Sequence, residues 1–189
     1  MQKHINMTLL TLLLITLPAG APAYTEVGGV HFASTVDAKD GRLHLQGAGI
    51  LRYMAFIKAY AGALYLPDAV LAHQALEPVA KHLEIEYYHP IKGEDFASAT
   101  RIKILDNIPA DQVADLRARI ELLSEMYRDV QPGDRYALTY FPGQGTLLSL
   151  NGQPLGSIPG DDFARALFAM WLGDNPIDRG FRDRLLGTS

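Results

Sequence analysis

Three residues on neighbouring stretches of the chain carry groups that can do chemistry together: Arg52, Lys58 and Tyr60. Arg52 follows the apolar run Gly47-Ala48-Gly49-Ile50-Leu51. A guanidinium beside an apolar wall offers a planar fork of donors, which suits a delocalised anion such as a carboxylate. Tyr60 lies a few residues on, across an expected hairpin, so its phenol can sit beside Arg52 and hydrogen-bond the same anion. Lys58 alternates onto the same strand face as Tyr60 and can add charge. Each residue has a structural alternative. Arg52 can cap the sheet surface, Tyr60 can be a core tyrosine satisfied by backbone, and Lys58 can snorkel to the sheet edge.

Other chemistries find little support. The histidines at 31, 44, 73, 82 and 89 show no paired metal-ligand spacing, so no metal site is expected. Phe141-Pro142-Gly143-Gln144-Gly145-Thr146 has the glycines of a phosphate loop. It lacks the following lysine and helix, and reads as a turn between strands. Ser149 and Ser157 sit in no Gly-x-Ser-x-Gly elbow. The chain has no cysteine, hence no thiol nucleophile, disulfide or zinc-thiolate site. No cofactor is expected. Tyr88 shares a strand face with His82, Glu84 and Glu86 and reads as wet, and Arg101 reads as part of a solvated helix face.

The elements that must position these residues begin after a leader. Lys3 and His4, the apolar run Leu9–Leu17, and Ala21-Pro22-Ala23 read as a secretory signal peptide over residues 1–23, cleaved after Ala23. The apolar run is shorter than the roughly 20 residues needed to cross a bilayer, so no stable membrane anchor is expected once it is removed. A periplasmic or secreted location follows. Residues 24–189 make a single domain, long enough to bury a core without staples. The formal net charge of the whole chain is −4. It has no block of basic residues, which argues against a nucleic-acid partner.

Within that domain, Val30–Ser34 predicts a short strand and Asp40-Gly41 a hairpin turn. Arg42–Tyr53 and Phe56–Leu66 predict two long strands, the second apolar on both faces and therefore central. His82–Tyr88 alternates as a further strand. Gly93–Asn107 and Asp111–Asp129 predict helices. The second carries a stripe of Val113, Leu116, Ile120, Leu123 and Tyr127. Arg135–Phe141, Thr146–Leu150 and Leu155–Ile158 predict three more strands, turning at residues 142–145 and at Asn151-Gly152. Asp161 is the expected cap of a helix with an inner stripe of Phe163, Leu167, Met170 and Trp171 that stops at Gly173. A last helix runs through Phe181 and Leu185. Strands segregated from helices imply an α+β fold, an antiparallel sheet covered by helices.

Three segments, taken in order, resemble the chalcone isomerase-like family: Gly47–Arg52 with Lys58–Leu66; Gly133-Asp134 through Tyr140-Phe141-Pro142-Gly143 to Gly145-Thr146; and Asn151-Gly152 through Gly156–Gly160 to Trp171-Leu172-Gly173, Pro176 and Asp178. The resemblance implies an open-faced β-sandwich, with a large antiparallel sheet under a layer of helices and a ligand cleft between them. It places Arg52 at the family's cleft arginine, which holds an enolate in the isomerases and a carboxylate in fatty-acid-binding relatives. Tyr60 matches the fatty-acid binders, since the isomerases carry threonine there. The isomerases' helical tyrosine and asparagine have no clear counterpart in Phe96–Arg101. The reading that follows is a non-catalytic binder of a fatty acid or similar amphipathic carboxylate at Arg52, Tyr60 and Lys58. One alternative is an isomerase (an intramolecular lyase) acting on an enone or phenolic substrate through Arg52. Another is a cell-envelope module that binds a protein partner and no small ligand.

Overall fold

The computed structural model describes residues 23–188 except 40, 55 and 69. Most of the expected leader, and the Asp40 half of the Asp40-Gly41 turn, lie outside the described residues. Strands β1 (Tyr24–Val27) and β2 (Val30–Ala33) pair as a separate hairpin. Strands β3 (Thr35–Ala38), β4 (Gly41–Tyr53), β5 (Ile57–Leu66), β6 (Lys81–Tyr87), β7 (Arg135–Phe141), β8 (Gly145–Leu150) and β9 (Gln153–Ile158) form one antiparallel sheet in sequence order. Helices α1 (Gly93–Leu105) and α2 (Val113–Met126) sit between β6 and β7. Helices α3 (Asp161–Leu172) and α4 (Arg179–Leu186) follow β9. The expected α+β architecture is the one observed.

Alternation builds the main core. Leu83, Ile85 and Tyr87 of β6 lie beside Tyr136 and Leu138 of β7, in the pairs Leu83↔Leu138 and Ile85↔Tyr136. All five are buried with Leu116, Ile120 and Leu123 of α2, Phe163, Leu167, Met170 and Trp171 of α3, and Phe181 and Leu185 of α4. Burying each such side chain is worth about 1.5–3 kcal/mol. The central place expected for β5 is observed. Leu64 and Leu66 join this core, while Ala61, Ala63 and Tyr65 join a second one on the opposite face.

That second face departs from the expectation of a wet surface. The β1–β2 hairpin covers it, bringing Val30 and Phe32 against Leu43 and Tyr65. The acids beneath are paired. Arg135 donates to Glu84 at 2.8 Å, to Glu86 at 2.7 Å and to the His31 carbonyl at 3.1 Å. Its guanidinium lies 4.9 Å from the Phe32 ring centroid. His82 sits between Thr139 Oγ1 at 2.7 Å and Glu84 at 3.2 Å. Burial pushes the Glu84 carboxyl up, but His82 and Arg135 outweigh it and hold the group below its ordinary value. Tyr88 is part-buried here, its hydroxyl 3.2 Å from the Gly28 carbonyl.

Other boundaries shift for local reasons. β1 and β3 were not expected; both are short and mix polar with apolar residues. α2 is preceded by a 3-10 turn at Ala110–Gln112 and stops at Tyr127, whose backbone is extended. The Tyr136 hydroxyl then takes over Arg128, accepting from its N–H at 2.7 Å and donating to its carbonyl at 2.9 Å. Asp161 does not cap α3. Gly160 stands at the cap with φ of 102°, and Asp161 instead accepts from the Gly143 N–H at 3.0 Å, tying the β7–β8 turn to the helix.

Two contacts generate tests. α4 crosses β4 at glycines: a Cβ on Gly47 would press on the Arg184 and Leu185 carbonyl oxygens, the latter at 2.7 Å, and one on Gly49 would meet Arg184 Cβ at 2.8 Å. Backbone cannot yield as a side-chain tip can, so Gly47→Ala should cost about 1–3 kcal/mol, read as a lower urea midpoint; an unchanged midpoint would show that α4 is not seated there. Separately, Lys81 is buried, donates to the Glu77 carbonyl at 2.8 Å and lies 4.4 Å from the Tyr140 ring centroid. Burial lowers its pKa from 10.5 to about 8. The unfolded chain therefore binds more protons than the folded one between those values. The cost of the buried charge is fully present below about pH 8 and is relieved as pH rises toward 10.5, by on the order of 2–3 kcal/mol. Subtracting the Lys81→Met stability profile from that of the parent should isolate this rise; a flat difference would refute it.

Candidate functional site

The pairing of β4 with β5 decides which predicted site residues meet. Leu51 lies opposite Tyr60, yet Arg52 lies opposite Lys58, which leaves Ala59 as an extra residue in β5. One inserted residue shifts the two-residue alternation by one and sends the side chains on either side of it to different faces. Lys58 and Tyr60 therefore do not share a face, contrary to the plain alternation of the sequence. Lys58 is on the hairpin side, its Nζ 3.5 Å from the Gly28 carbonyl and 5.5 Å from the Tyr88 ring centroid. Tyr60 turns to the helices. The structure thus brings Arg52 together with Lys58 and does not bring either to the Tyr60 phenol.

Tyr60 is half-buried against the main core. Its ring makes edge contacts with Tyr87 and Phe181 at centroid distances of 5.7 and 5.4 Å, and its hydroxyl accepts from Trp171 Nε1 at 3.1 Å. Burial pushes its pKa well above the ordinary tyrosine value, against a smaller opposing effect of the Trp171 hydrogen bond. It is a neutral phenol and cannot act as a base near neutral pH. Around it, Tyr87, Phe96, Tyr127 and Tyr136 occupy the region between sheet and helices where the family resemblance implied a cleft. Phe96 stacks on Tyr127 at 5.5 Å, and the Tyr127 hydroxyl shares a 3.0 Å hydrogen bond with Thr100. Burial pushes the Tyr127 phenol up to about 12. Phe96 and Thr100 come from the stretch in which no isomerase pair could be placed. Arg101, as expected, lies on the solvated side, 2.7 Å from Glu121. Sequence reasoning missed Trp171 as the Tyr60 partner. It read that indole only as part of an apolar stripe, and a stripe does not say where an N–H points.

Arg52 opens instead on a groove of about 660 Å³ beside β4. Val27, Ala48 and Ile50 give it apolar surface. Arg52, Arg184 and Asp178 give it two cations and one acid. That volume falls within the range of small-molecule sites, roughly 300–1,000 Å³. Arg184 is already engaged, donating to the Ile50 carbonyl at 2.9 Å and lying 4.0 Å from Asp178. Arg52 is exposed and makes no ion pair among the described residues. The groove is therefore an apolar trough with one uncommitted guanidinium at its edge and Lys58 beside it, an arrangement that can hold an anion. Among the described residues no three histidine or carboxylate side chains cluster to hold a metal.

Residues 24–187 match the family model described as chalcone isomerase-like. The chain belongs to the chalcone isomerase-like family. Its fold is also similar to the crystal structure of an Arabidopsis thaliana fatty-acid binding protein. The TM-score is 0.62 at 15% sequence identity, over 84% of this chain and 92% of that one. No curated protein sequence matches it. At that identity the likeness speaks for a shared fold. The family's sheet and helical layer are present here with the inter-layer space lined by the aromatic cluster around Tyr60.

Removing the Tyr60 hydroxyl tests that packing. Tyr60→Phe leaves the buried Trp171 N–H without an acceptor, at a cost of about 1–3 kcal/mol. Because the chain has one tryptophan, its emission spectrum should shift together with the loss of stability. An unchanged spectrum and midpoint would show that the indole does not depend on Tyr60.

Proposed function

We propose that this family member is a non-catalytic binder of an amphipathic carboxylate such as a fatty acid, and that it works outside the cytoplasm after removal of a leader ending at Ala23. The head group meets the Arg52 guanidinium, with Lys58 adding charge, and the alkyl chain lies along the apolar surface of Val27, Ala48 and Ile50. The observation that carries this reading is the uncommitted Arg52 beside an apolar groove, whereas Arg135, elsewhere on the same sheet, is fully paired. A carboxylate gains most from a guanidinium that has no competing acid and stands next to surface that also shelters an alkyl chain. Similarity to a protein described as fatty-acid binding supports the ligand class.

The isomerase alternative requires a second group beside Arg52 to move a proton. Tyr60, the partner suggested by sequence, is turned to the other face and held neutral. The partner-module alternative draws on a different observation, the aromatic filling between sheet and helices. Titration calorimetry with oleate separates these readings. The parent protein should bind with one site, and Arg52→Ala should weaken binding at least tenfold with unchanged thermal stability. Equal affinity in the variant would defeat the assignment of Arg52. Absence of binding in the parent would favour the partner module, and turnover of a chalcone that is lost in Arg52→Ala would favour the isomerase.

A further inference from the structure

The turn from β4 to β5 presents four large apolar side chains to solvent. Tyr53, Met54, Phe56 and Ile57 are exposed by 63%, 63%, 73% and 39%. Other exposed apolar residues, such as Leu71, Ile102 and Ile177, are distributed around the domain, and single residues of that kind are ordinary. Four within five positions at the end of a hairpin form a patch of the sort that marks an interaction site. Met54 takes a left-handed backbone, φ 50°, which closes the turn and holds the neighbouring side chains at the tip.

Charge around the tip says what it faces. Arg52 precedes it and Lys58 follows it, opposite each other in the β4–β5 ladder. From Gly41 to Pro67 the chain contains Arg42, Arg52 and Lys58 and no acidic residue, although its overall net charge is −4. An apolar tip with a tyrosine at its shoulder and cations just behind it matches the layers of a lipid surface. Hydrocarbon receives Phe56, Met54 and Ile57, the headgroup level suits Tyr53, and phosphates attract Arg52 and Lys58. A second copy of the chain is a poorer occupant, because a symmetric tip-to-tip contact would bring the same cations face to face.

We propose that the β4–β5 tip docks shallowly on the surface of an anionic bilayer, with Phe56 and its apolar neighbours below the headgroups and the flanking cations at the phosphates. The contact is reversible and interfacial, since no helix among the described residues is long and apolar enough to cross a membrane. It does not rest on the carboxylate-binding reading, because docking needs only the tip and its charges.

Co-sedimentation with vesicles tests this, using purified protein beginning at Tyr24, which carries every strand and helix described. Vesicles of equal phosphatidylglycerol and phosphatidylcholine should bind the protein at least tenfold better than phosphatidylcholine alone, and less as salt is raised. Phe56→Ser should reduce that binding at least tenfold, while Ile102→Ser, a similarly exposed apolar residue on α1, should leave it unchanged. Phe56→Trp should show a blue-shifted emission quenched by brominated lipid. Absence of vesicle binding, or equal binding by Phe56→Ser, would overturn the proposal. So would a concentration-dependent dimer in sedimentation velocity that Phe56→Ser abolishes while vesicle binding persists. Oleate affinity should be the same in Phe56→Ser and the parent, so loss of docking is distinguishable from loss of the ligand site.

Discussion

The carbonyl oxygens of Arg184 and Leu185 rest against the Cα of Gly47, and this backbone-to-backbone approach fixes how α4 lies across the sheet. Gly49 admits the Arg184 side chain, and Gly62, its partner on β5, admits the Phe181 ring. Three glycines on two adjacent strands thus make a bed that only a closely seated helix can use. Asp178 starts that helix by accepting from the Phe181 N–H at 2.6 Å, and Gln46 closes its far end by donating to the Leu186 carbonyl at 2.9 Å. From this seat the other arrangements follow. Phe181 reaches the Tyr60 ring, Arg184 reaches the carbonyl of Ile50, and one side of α4 becomes a wall of the groove that Arg52 overlooks.

The second constraint is the extra residue in β5. With a regular β5, Leu51 would still face Tyr60, so Lys58 would join the Tyr60 face and Arg52 would stand alone on the other. With the extra residue, Lys58 crosses to the Arg52 face and the two cations meet at the rim, while the phenol keeps its place in the aromatic cluster. The meeting of the two cations at the rim is therefore the result of one register shift.

Much of the architecture was legible because it rests on local patterning. The alternation of His82–Tyr88, the stripe of α2, the two-faced apolar β5 and the helix of Phe163–Trp171 are each written within a dozen residues. What was not legible depends on pairing between distant segments. Nothing in Ile57–Leu66 marks a bulge, because register belongs to two strands at once. Glu84 and Glu86 look like a solvent face until β7 is placed beside β6 and Arg135 arrives opposite Glu86. The short strands β1 and β3 are held by their partners more than by propensity, and Thr25, Glu26 and Asp37 blur their alternation. For the candidate site, residue types pointed to Arg52 and Lys58, but only the ladder shows that they meet each other and not Tyr60.

The sheet runs in sequence order from β3 to β9, and that ordering governs how quickly the chain can assemble. Most neighbouring strands are joined by short turns, so their ladders can zip from adjacent residues at little entropic expense. β5 and β6 are joined by the longer segment 67–80, and the longest closure is that of β6 with β7, which spans everything from Tyr87 to Arg135, including α1 and α2. Refolding kinetics should therefore be set by a single long closure, made easier if the α1–α2 pair forms first and shortens the effective loop. The Arg135–Glu86 ion pair sits at the very end of that closure, where it can latch the two halves of the sheet once they have met.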